Sequence, residues 1–443
     1  MSLASLLGRL GFTDAELDRR LALFAVARSA SVDACAWYHV PGRIEVLGKH
    51  TDYAGGRSLV CATEQGLAAE AGPRADRVVR VIDAVTQEVR EFPVDPALVP
   101  PRGDWANYPM TVVARLAQDF GAVVGGFDLA FASDIPIAAG VSSSSAVVVA
   151  VAKAAIDLFR LDQTEAYRAH ITSLEDLAGY LGAVENGRSF RGFGATAGVG
   201  TLGGNQDHTA ILCSASDALT QVRFDPVTVE RRVAWPDDFR FVIASSGVVA
   251  EKTGPALERY NRLARMTERL RVLVVGPDSE STLGRAIIDR RVTGLPAGAD
   301  LDPDEALRLN RRLTQLTAEC RVLIPGVVDA LGKREFVRLG ELVAASQLGA
   351  EIGLENQIPE TMALVESARR LGAVAASAFG AGFGGSVWAM VQLDRVEQFA
   401  EAWGGEYRRS FPDRSLARFL TTRPAPAASG LAEPSGRRHL HRQ

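Results

Sequence analysis

Three segments of the chain place small residues beside groups that can bind an anion or a hydroxyl. In residues 136–146 (PIAAGVSSSSA), a glycine and four consecutive serines lead into a predicted helix. Small residues let backbone N–H groups approach an anion closely, and a helix N-terminus adds unsatisfied donors and a positive dipole. Serine hydroxyls can also bond to phosphate oxygens or to Mg²⁺. This segment indicates phosphate-binding chemistry without the lysine of a Walker loop.

The other two segments lie nearer the ends of the chain. Residues 377–386 (SAFGAGFGGS) have the spacing G-x-G-x-G-G, and they are no dinucleotide fingerprint because a predicted strand, not a helix, follows them. Residues 41–53 (PGRIEVLGKHTDY) set charged groups beside glycines at a strand end, which suits hydroxyl recognition. Taken alone, each segment also has a structural interpretation as a serine cap, a tight hairpin or a salt-bridged turn.

Helices and strands that can position these segments are predicted along the whole chain. Residues 1–30 predict amphipathic helices, further helices follow Asp104 and cover about 144–158 and 163–182, and most of 254–370 is helical. Residues rich in Val, Ile and aromatics predict strands at 36–40, 58–62, 78–82, 88–94, 127–131, 210–213, 219–224, 241–245, 374–377 and 386–391. The pattern predicts an α/β (α+β) protein with mixed sheets.

The length of 443 residues favours two domains over a single core. We predict an N-terminal domain over 1–220, a C-terminal domain over 221–422, and a disordered tail over 423–443. The tail is rich in Pro, Ala, Ser and Gly and ends in a basic cluster. Residues 187–207 contain seven glycines and form either a flexible surface insertion or a loop that faces a substrate.

The composition argues against several kinds of partner. With a net charge of −4 and a pI of about 6.0, the chain shows no basic surplus for nucleic acid or an anionic membrane surface. No apolar run reaches the roughly 18 residues of a membrane span, and the N-terminus lacks the apolar core of a signal peptide. The four cysteines form no C-x-x-C pair, which argues against a disulfide framework or a zinc site. This cysteine usage favours the reducing cytoplasm as the location of the protein. A monomer is compatible with the sequence, which does not fix the oligomeric state.

Together the three segments resemble the motifs of the GHMP kinase superfamily, and of galactokinases within it. The family motifs are G-R-x-N-x-I-G-E-H-x-D-Y, P-x-x-x-G-L-S-S-S-A and G-x-G-F-G-G, and their counterparts occur here in that order over residues 36–392. The resemblance implies a two-domain GHMP kinase fold with the active site at the domain interface. It also implies transfer of the γ-phosphoryl group of ATP to a sugar hydroxyl at C1, with galactose as the first candidate.

The resemblance also assigns roles to individual residues. Asp207, in Gly204-Asn-Gln-Asp207, matches the catalytic aspartate that orients or deprotonates the sugar hydroxyl, and Arg43 matches the motif arginine expected beside it. Ser144 and Glu185 are the expected ligands of Mg²⁺. The expected sugar-binding residues are Lys49, His50, Asp52, Gly204, Asn205 and Tyr260. The expected ATP-binding residues are Trp105, Asn107, Gly140, Ser142, Ser143, Ser144, Ser145, Gly382 and Gly384.

Two positions of the first motif depart from the galactokinase pattern. Lys49 stands where the family has a glutamate, and Glu45 stands where it has an asparagine. A lysine ammonium has three donors and no acceptor, so it suits a carboxylate better than a hydroxyl. One hypothesis is therefore a uronic-acid kinase that acts on galacturonate. The alternatives are that the substrate is another neutral sugar, such as arabinose or a hexosamine, or that Glu45 and Lys49 exchange roles or pair with each other and galactose is the substrate. A further alternative is a sensor that binds ATP and sugar with little turnover.

Overall fold

The computed structural model describes residues 3–101, 103–136, 140–248 and 255–431. The helices in these ranges are α1 (Leu3–Gly8), α2 (Asp14–Arg28), α3 (Asn107–Phe120), α4 (Ser143–Phe159), α5 (Glu165–His170), α6 (Leu174–Asn186), α7 (Gln206–Cys213), α8 (Pro255–Val274), α9 (Leu283–Ile288), α10 (Pro303–Ala318), α11 (Ile324–Gly332), α12 (Phe336–Gly349), α13 (Pro359–Arg370) and α14 (Val396–Ser410). Two π-helical turns, Glu319–Leu323 and Ala350–Leu354, follow α10 and α12. None of the described helices is long and apolar enough to cross a membrane.

The strands form two sheets. They are β1 (Ala36–Leu47), β2 (Arg57–Pro73), β3 (Val78–Asp83), β4 (Glu88–Pro93), β5 (Phe127–Ser133), β6 (Ala218–Arg223), β7 (Thr228–Ala234), β8 (Phe239–Ser245), β9 (Ala375–Phe379), β10 (Ser386–Gln392), β11 (Arg418–Thr422) and β12 (Ser429–Gly430). The eight-stranded sheet has the order β12-β1-β2-β5-β3-β4, and β6 joins β2 to β7. The four-stranded sheet has the order β11-β8-β10-β9. The pairs are antiparallel apart from β3 with β5, so the predicted mixed α/β class is confirmed.

Helix α4 links the first sheet to the candidate site. Its Ala/Val run is apolar on every face, which is the pattern of a helix buried on all sides, and it packs against β1 and β2. The N-terminus of α4 therefore lies at the edge of the sheet where β1 carries Arg43. The C-terminal helices α12 and α13 cover β9 of the second sheet, which leads into the glycine-rich residues 380–385.

Two predicted elements are wrong. Residues 210–213 belong to helix α7 and form no strand, because a short apolar run has no periodicity that separates a strand from a buried helix. The single helix predicted over 163–182 is broken into α5 and α6. Ile171 is extended, and the Ser173 hydroxyl caps α6 by accepting a hydrogen bond from the backbone of Asp176.

The ends of the predicted domains also differ from the structure. Part of the segment predicted as a disordered tail is ordered, since β12 pairs with β1 and Ala425 bonds to Ala62; residues 432–443 lie outside the described ranges. Strand β7, which follows the predicted boundary at residue 220, pairs with β6 in the first sheet. We therefore propose a division between the two units near residue 235.

Candidate active site

The predicted neighbours Arg43 and Asp207 are in contact. Arg43 lies on β1, and Asp207 lies in the first turn of α7. The Arg43 Nε–H donates to Asp207 Oδ1 at 2.7 Å, and an Nη1–H donates to the carbonyl of Gly140. The Ser142 hydroxyl donates to Asp207 Oδ2. Side chains from β1 and from the residues before α4 therefore hold both oxygens of the Asp207 carboxylate.

A small cavity opens beside this pair. Its volume is about 40 Å³, which is room for a few water molecules. It is lined by Arg43, Glu45, His50, Asp52, Gln206, Asp207, Tyr260, Gly380 and Ala381. Five of these residues are among the catalytic and sugar-binding predictions. The wall formed by residues 380 and 381 follows β9 of the second sheet, so the cavity lies between the two units.

His50 connects the two units across the cavity. Its Nε2–H donates to the Ala381 carbonyl at 3.0 Å, because a carbonyl can only accept, and its Nδ1 forms a hydrogen bond with the Tyr53 hydroxyl at 2.9 Å. The ring of Tyr260 lies 5.2 Å from the His50 ring, centre to centre. Burial beside Asp52 raises the pKa of the Tyr260 hydroxyl, which therefore stays protonated and able to donate.

Gly204 and Asn205 meet Asp52 from the opposite side. They line an adjacent cavity of about 390 Å³, whose other walls include α6, the glycine-rich segment after it and residues 224–227. A side chain on Gly204 would lie 2.3 Å from Asp52 Oδ2, so glycine is required for this close approach. Burial raises the pKa of Asp52, whose Oδ2 accepts from the backbone N–H of Gln206 at 3.2 Å.

The two glycine and serine loops face each other. A Cβ on Gly140 would lie 3.7 Å from Gly385 Cα, so the loop before α4 and the loop after β9 run side by side. Gly382 has φ of +77°, and a side chain there would lie 2.5 Å from Asn356 Nδ2. Ser142 precedes α4, so Ser143, Ser144 and Ser145 form its first turn. Backbone N–H groups at the start of a 17-residue helix, opposite a glycine loop, fit a phosphate chain.

The predicted metal ligands are only partly brought together. The Ser145 hydroxyl, and not that of Ser144, donates to Glu185 Oε2 at 3.1 Å. Adjacent helical residues point about 100° apart, which is why only one of the two serines faces α6. His208 Nε2 lies 3.1 Å from the same carboxylate oxygen. In the described ranges, no group of three or more His, Cys, Asp and Glu side chains could hold a metal ion.

Trp105 and Asn107 lie away from the small cavity. The Trp105 indole donates to Glu88 at 2.6 Å, and the ring carries Arg90 on its face at 5.1 Å. The Asn107 amide donates to the carbonyl of Val199 at 3.1 Å and so holds the glycine-rich segment. Their part in nucleotide binding stays a prediction.

Lys49 does not face the cavity, so the expectation that it meets a substrate group is not met in this structure. Its side chain is 1% exposed, and its ammonium donates to Ser377 Oγ at 2.8 Å and to Ser346 Oγ at 3.4 Å. Ser346 in turn donates to Glu319. Burial lowers the pKa of Lys49, while Glu319 and Glu45 act to raise it. Lys49 therefore balances buried negative charge where the first sheet's unit meets the C-terminal helices.

We expect Lys49→Met to lower the free energy of unfolding by about 3–5 kcal/mol, since it leaves Glu319 buried without its main countercharge. Urea unfolding followed by circular dichroism measures this change. Lys333→Met removes an exposed ammonium and is the matched control, with an expected change within about 0.5 kcal/mol. Equal stabilities of the two variants would contradict this role for Lys49.

Sequence reasoning missed Gln206 and noticed Glu45 only as a departure from a motif. Glu45 follows Arg43 by two residues on β1, so both side chains point to the same face of the strand. This alternation of side chains along a strand was the sequence signal that could have placed Glu45 beside Arg43. The Gln206 amide donates to Glu45 Oε2 at 2.7 Å and accepts from the Ser58 hydroxyl at 2.7 Å. These contacts join β1, β2 and α7 on one wall of the cavity.

Comparison with known proteins matches three parts of the chain to family models. They are the GHMP kinases N terminal domain at residues 107–186, the Galactokinase galactose-binding signature at 24–73, and the GHMP kinases C terminal model at 327–409. The chain belongs to the GHMP kinase family. Within that family it is galactokinase-like, and it shares the phosphotransferase character of that group.

Individual relatives agree with this assignment. The chain is 28% identical to a galactokinase of Fusobacterium nucleatum over 372 residues, which cover 83% of this chain and 88% of the relative. It is 29% identical to a galactokinase of Chloroflexus aggregans over 371 residues, or 82% of this chain and 85% of the relative. The Lactococcus lactis galactokinase complexed with galactose superposes with a TM-score of 0.70 at 24% identity, covering 89% of this chain and 94% of that one. This last likeness supports the fold.

Proposed function

We propose that the protein transfers the γ-phosphoryl group of ATP to the anomeric hydroxyl of a neutral monosaccharide, with galactose as the first candidate. The observation that carries the proposal is the Arg43–Asp207 pair, which lies between the two glycine and serine loops and opens into the small cavity. The galactose-binding signature at residues 24–73, which contains Arg43, His50 and Asp52, supports the choice of sugar.

Asp207 is the proposed acceptor of the sugar hydroxyl's proton. As the sugar oxygen forms its bond to the γ-phosphorus, the bond between that phosphorus and the β–γ bridging oxygen breaks and ADP leaves. Arg43 keeps the Asp207 carboxylate charged and offsets negative charge on the attacking oxygen. The contact between the two residues is the reason for preferring turnover over a sensor, because a sensor needs no base.

ATP is the phosphoryl donor of this family, and we propose that its phosphates lie between the loop before α4 and the loop after β9. Oxygen donors such as Ser144, Ser145 and Glu185 suit Mg²⁺, which usually binds one or two carboxylates together with substrate phosphates. When bound, Mg²⁺ neutralises phosphate charge. Trp105 and Asn107 are the proposed neighbours of the nucleotide base of ATP.

The cytoplasm is the proposed location of the protein, because the described cysteines are all free thiols.

A neutral sugar is favoured over a uronate because of the charges that line the cavity. Glu45, Asp52 and Asp207 all border it, Arg43 is already paired with Asp207, and Lys49 is directed away towards Ser377. A substrate carboxylate would therefore meet buried acids without the cation on which the galacturonate hypothesis depends.

The test is ATP-dependent phosphorylation of galactose, galacturonate, arabinose and galactosamine, measured as ADP release with Mg²⁺. We expect galactose to give the highest kcat/KM. Binding of ATP and sugar by calorimetry without ADP release would favour a sensor instead. A preference for galacturonate would contradict the neutral-sugar assignment.

Removal of divalent metal ions is expected to abolish turnover, because uncompensated phosphate charge opposes attack by the sugar oxygen. Activity lost in EDTA should return on titration with Mg²⁺. Glu185→Gln should raise the Mg²⁺ concentration for half-maximal rate by about tenfold or more, since it removes a carboxylate ligand. Full activity in EDTA, or an unchanged Mg²⁺ requirement in Glu185→Gln, would contradict this assignment.

A further inference from the structure

The small cavity contains a polar atom without a partner. Glu45 is 3% exposed and lines the cavity, and its Oε1 has no hydrogen-bond partner among the described residues. Leaving a buried acceptor unsatisfied is destabilising, and more so when the group is charged. An unsatisfied oxygen in the wall of a binding cavity indicates a donor on the ligand that fills it.

The other oxygen of the Glu45 carboxylate is held by Gln206. The Ser58 hydroxyl donates to Gln206 Oε1, which leaves the amide Nε2–H to donate to Glu45 Oε2. Gln206 begins α7 immediately before Asp207, and Glu45 shares a strand face with Arg43. The Glu45 carboxylate is thus held by one oxygen against α7, while its other oxygen has no partner among the described residues and the residue lines the cavity of the proposed reacting pair.

We propose that Glu45 is a sugar-binding residue that selects for a neutral substrate, with Oε1 accepting a hydrogen bond from a sugar hydroxyl. This inference rests on the proposed function and names the specificity of the same site. A hydroxyl satisfies the buried oxygen. A carboxylate in its place would bring two negative charges together out of water, next to Asp52 and Asp207. In the galactokinase pattern the glutamate is at the position of Lys49, so the acid of this chain reaches the cavity from a different point of the same motif.

The charges around Glu45 make this contact sensitive to pH. Burial raises the pKa of Glu45 to about 7, Lys49 and Arg43 act to lower it, and Asp52 acts to raise it. The other titratable groups that line the cavity are Asp207 and His50, which belong to the first sheet's unit, and Tyr260, which lies on α8. A charged acceptor forms a stronger hydrogen bond than a neutral one. The KM for the sugar is therefore expected to fall as the pH rises from 6 to 8.

The experiment compares the wild-type protein, Glu45→Gln and Glu70→Gln with galactose and its 2-, 3-, 4- and 6-deoxy analogues. Glu70 is the matched control, because it is also a buried glutamate with one unpartnered oxygen, but it lies on β2 beside Arg28. In the wild type, one analogue should have a KM about 10- to 100-fold above that of galactose. Glu45→Gln should raise the KM for galactose by a similar factor. In this variant, the KM of that same analogue should be only about twice the KM of galactose. Glu70→Gln should leave the pattern unchanged.

The outcomes separate the inference from the proposed function. If the wild type phosphorylates galactose but Glu45→Gln leaves the ratio of each analogue's KM to the KM of galactose unchanged, Glu45 does not contact the sugar and the proposed function stands. If no sugar is phosphorylated, the proposed function fails and the inference fails with it.

A measurement on the wild type alone remains decisive if Glu45→Gln does not fold. The KM of the analogue that lacks the relevant hydroxyl should be independent of pH between 6 and 8, while the KM of galactose falls. If the KM values of galactose and of all four analogues changed in the same way between pH 6 and 8, the inference would be overturned.

Discussion

Asp207→Asn is expected to lower kcat by about 10²–10⁴-fold while the protein still binds ATP and sugar. The amide retains the shape of the side chain and can accept from Arg43, but it cannot take the proton of the sugar hydroxyl. Steady-state ADP release gives kcat, and calorimetry on the same preparation gives both dissociation constants.

Asp128→Asn is the matched control for this substitution. Asp128 is also held by arginines, with Arg74 and Arg80 each donating to Oδ1 at 2.9 Å, but it lies on β5 away from the cavity. It should leave kcat within about twofold. A kcat for Asp207→Asn within tenfold of the wild type would mean that a different group, or water, receives the proton.

Arg43→Lys is expected to lower kcat by about 10²–10³-fold, even though the positive charge is kept. The guanidinium uses Nε for Asp207 and Nη1 for the Gly140 carbonyl, and a single ammonium cannot reproduce this fork. Because Gly140 belongs to the loop before α4, the KM for ATP should rise as well. Initial rates over a range of ATP concentrations separate the two effects.

Arg74→Lys provides the comparison for the second prediction, because Arg74 also forms a fork, with Nε and Nη2 donating to Asp76 and Nη1 donating to Asp128, at a site remote from the cavity. We expect its kinetic constants to match those of the wild type. If Arg43→Lys matched them too, charge alone would suffice and the fork geometry would have no part in the reaction.

The Arg43–Asp207 contact was predictable because both residues match motifs of a known family, and the family fold brings those motifs together. The spacing of the two residues along the chain does not by itself predict a contact. The direction of Lys49 was not predictable in this way. Gly48 has φ of +103°, so the regular alternation of β1 ends there, and Lys49 and His50 then point to different sides. No local pattern reports such a turn, because it depends on the close approach of Ser58, 2.4 Å from where a Cβ of Gly48 would lie.

Most helices and strands followed from periodicity, and the failures have physical reasons. The run Ala-Ile-Leu-Cys at 210–213 is buried on all sides, so its hydrophobicity is compatible with a helix or a strand. The segment after Arg423 has the composition of a disordered tail, yet its backbone pairs with β1, whose residues are almost a whole chain length away. Such long-range pairing leaves no trace in local composition.

The pairing of β12 with β1 also sets an order of events during synthesis. Strand β1, which carries Arg43 and Glu45, can pair with β2 as soon as residues 57–73 have been made, but its other edge remains open until residues 429–430 have been made. An open strand edge can pair with another nascent chain. The first sheet, whose other strands all lie between residues 36 and 234, is therefore completed only when residues 429–430 pair with β1.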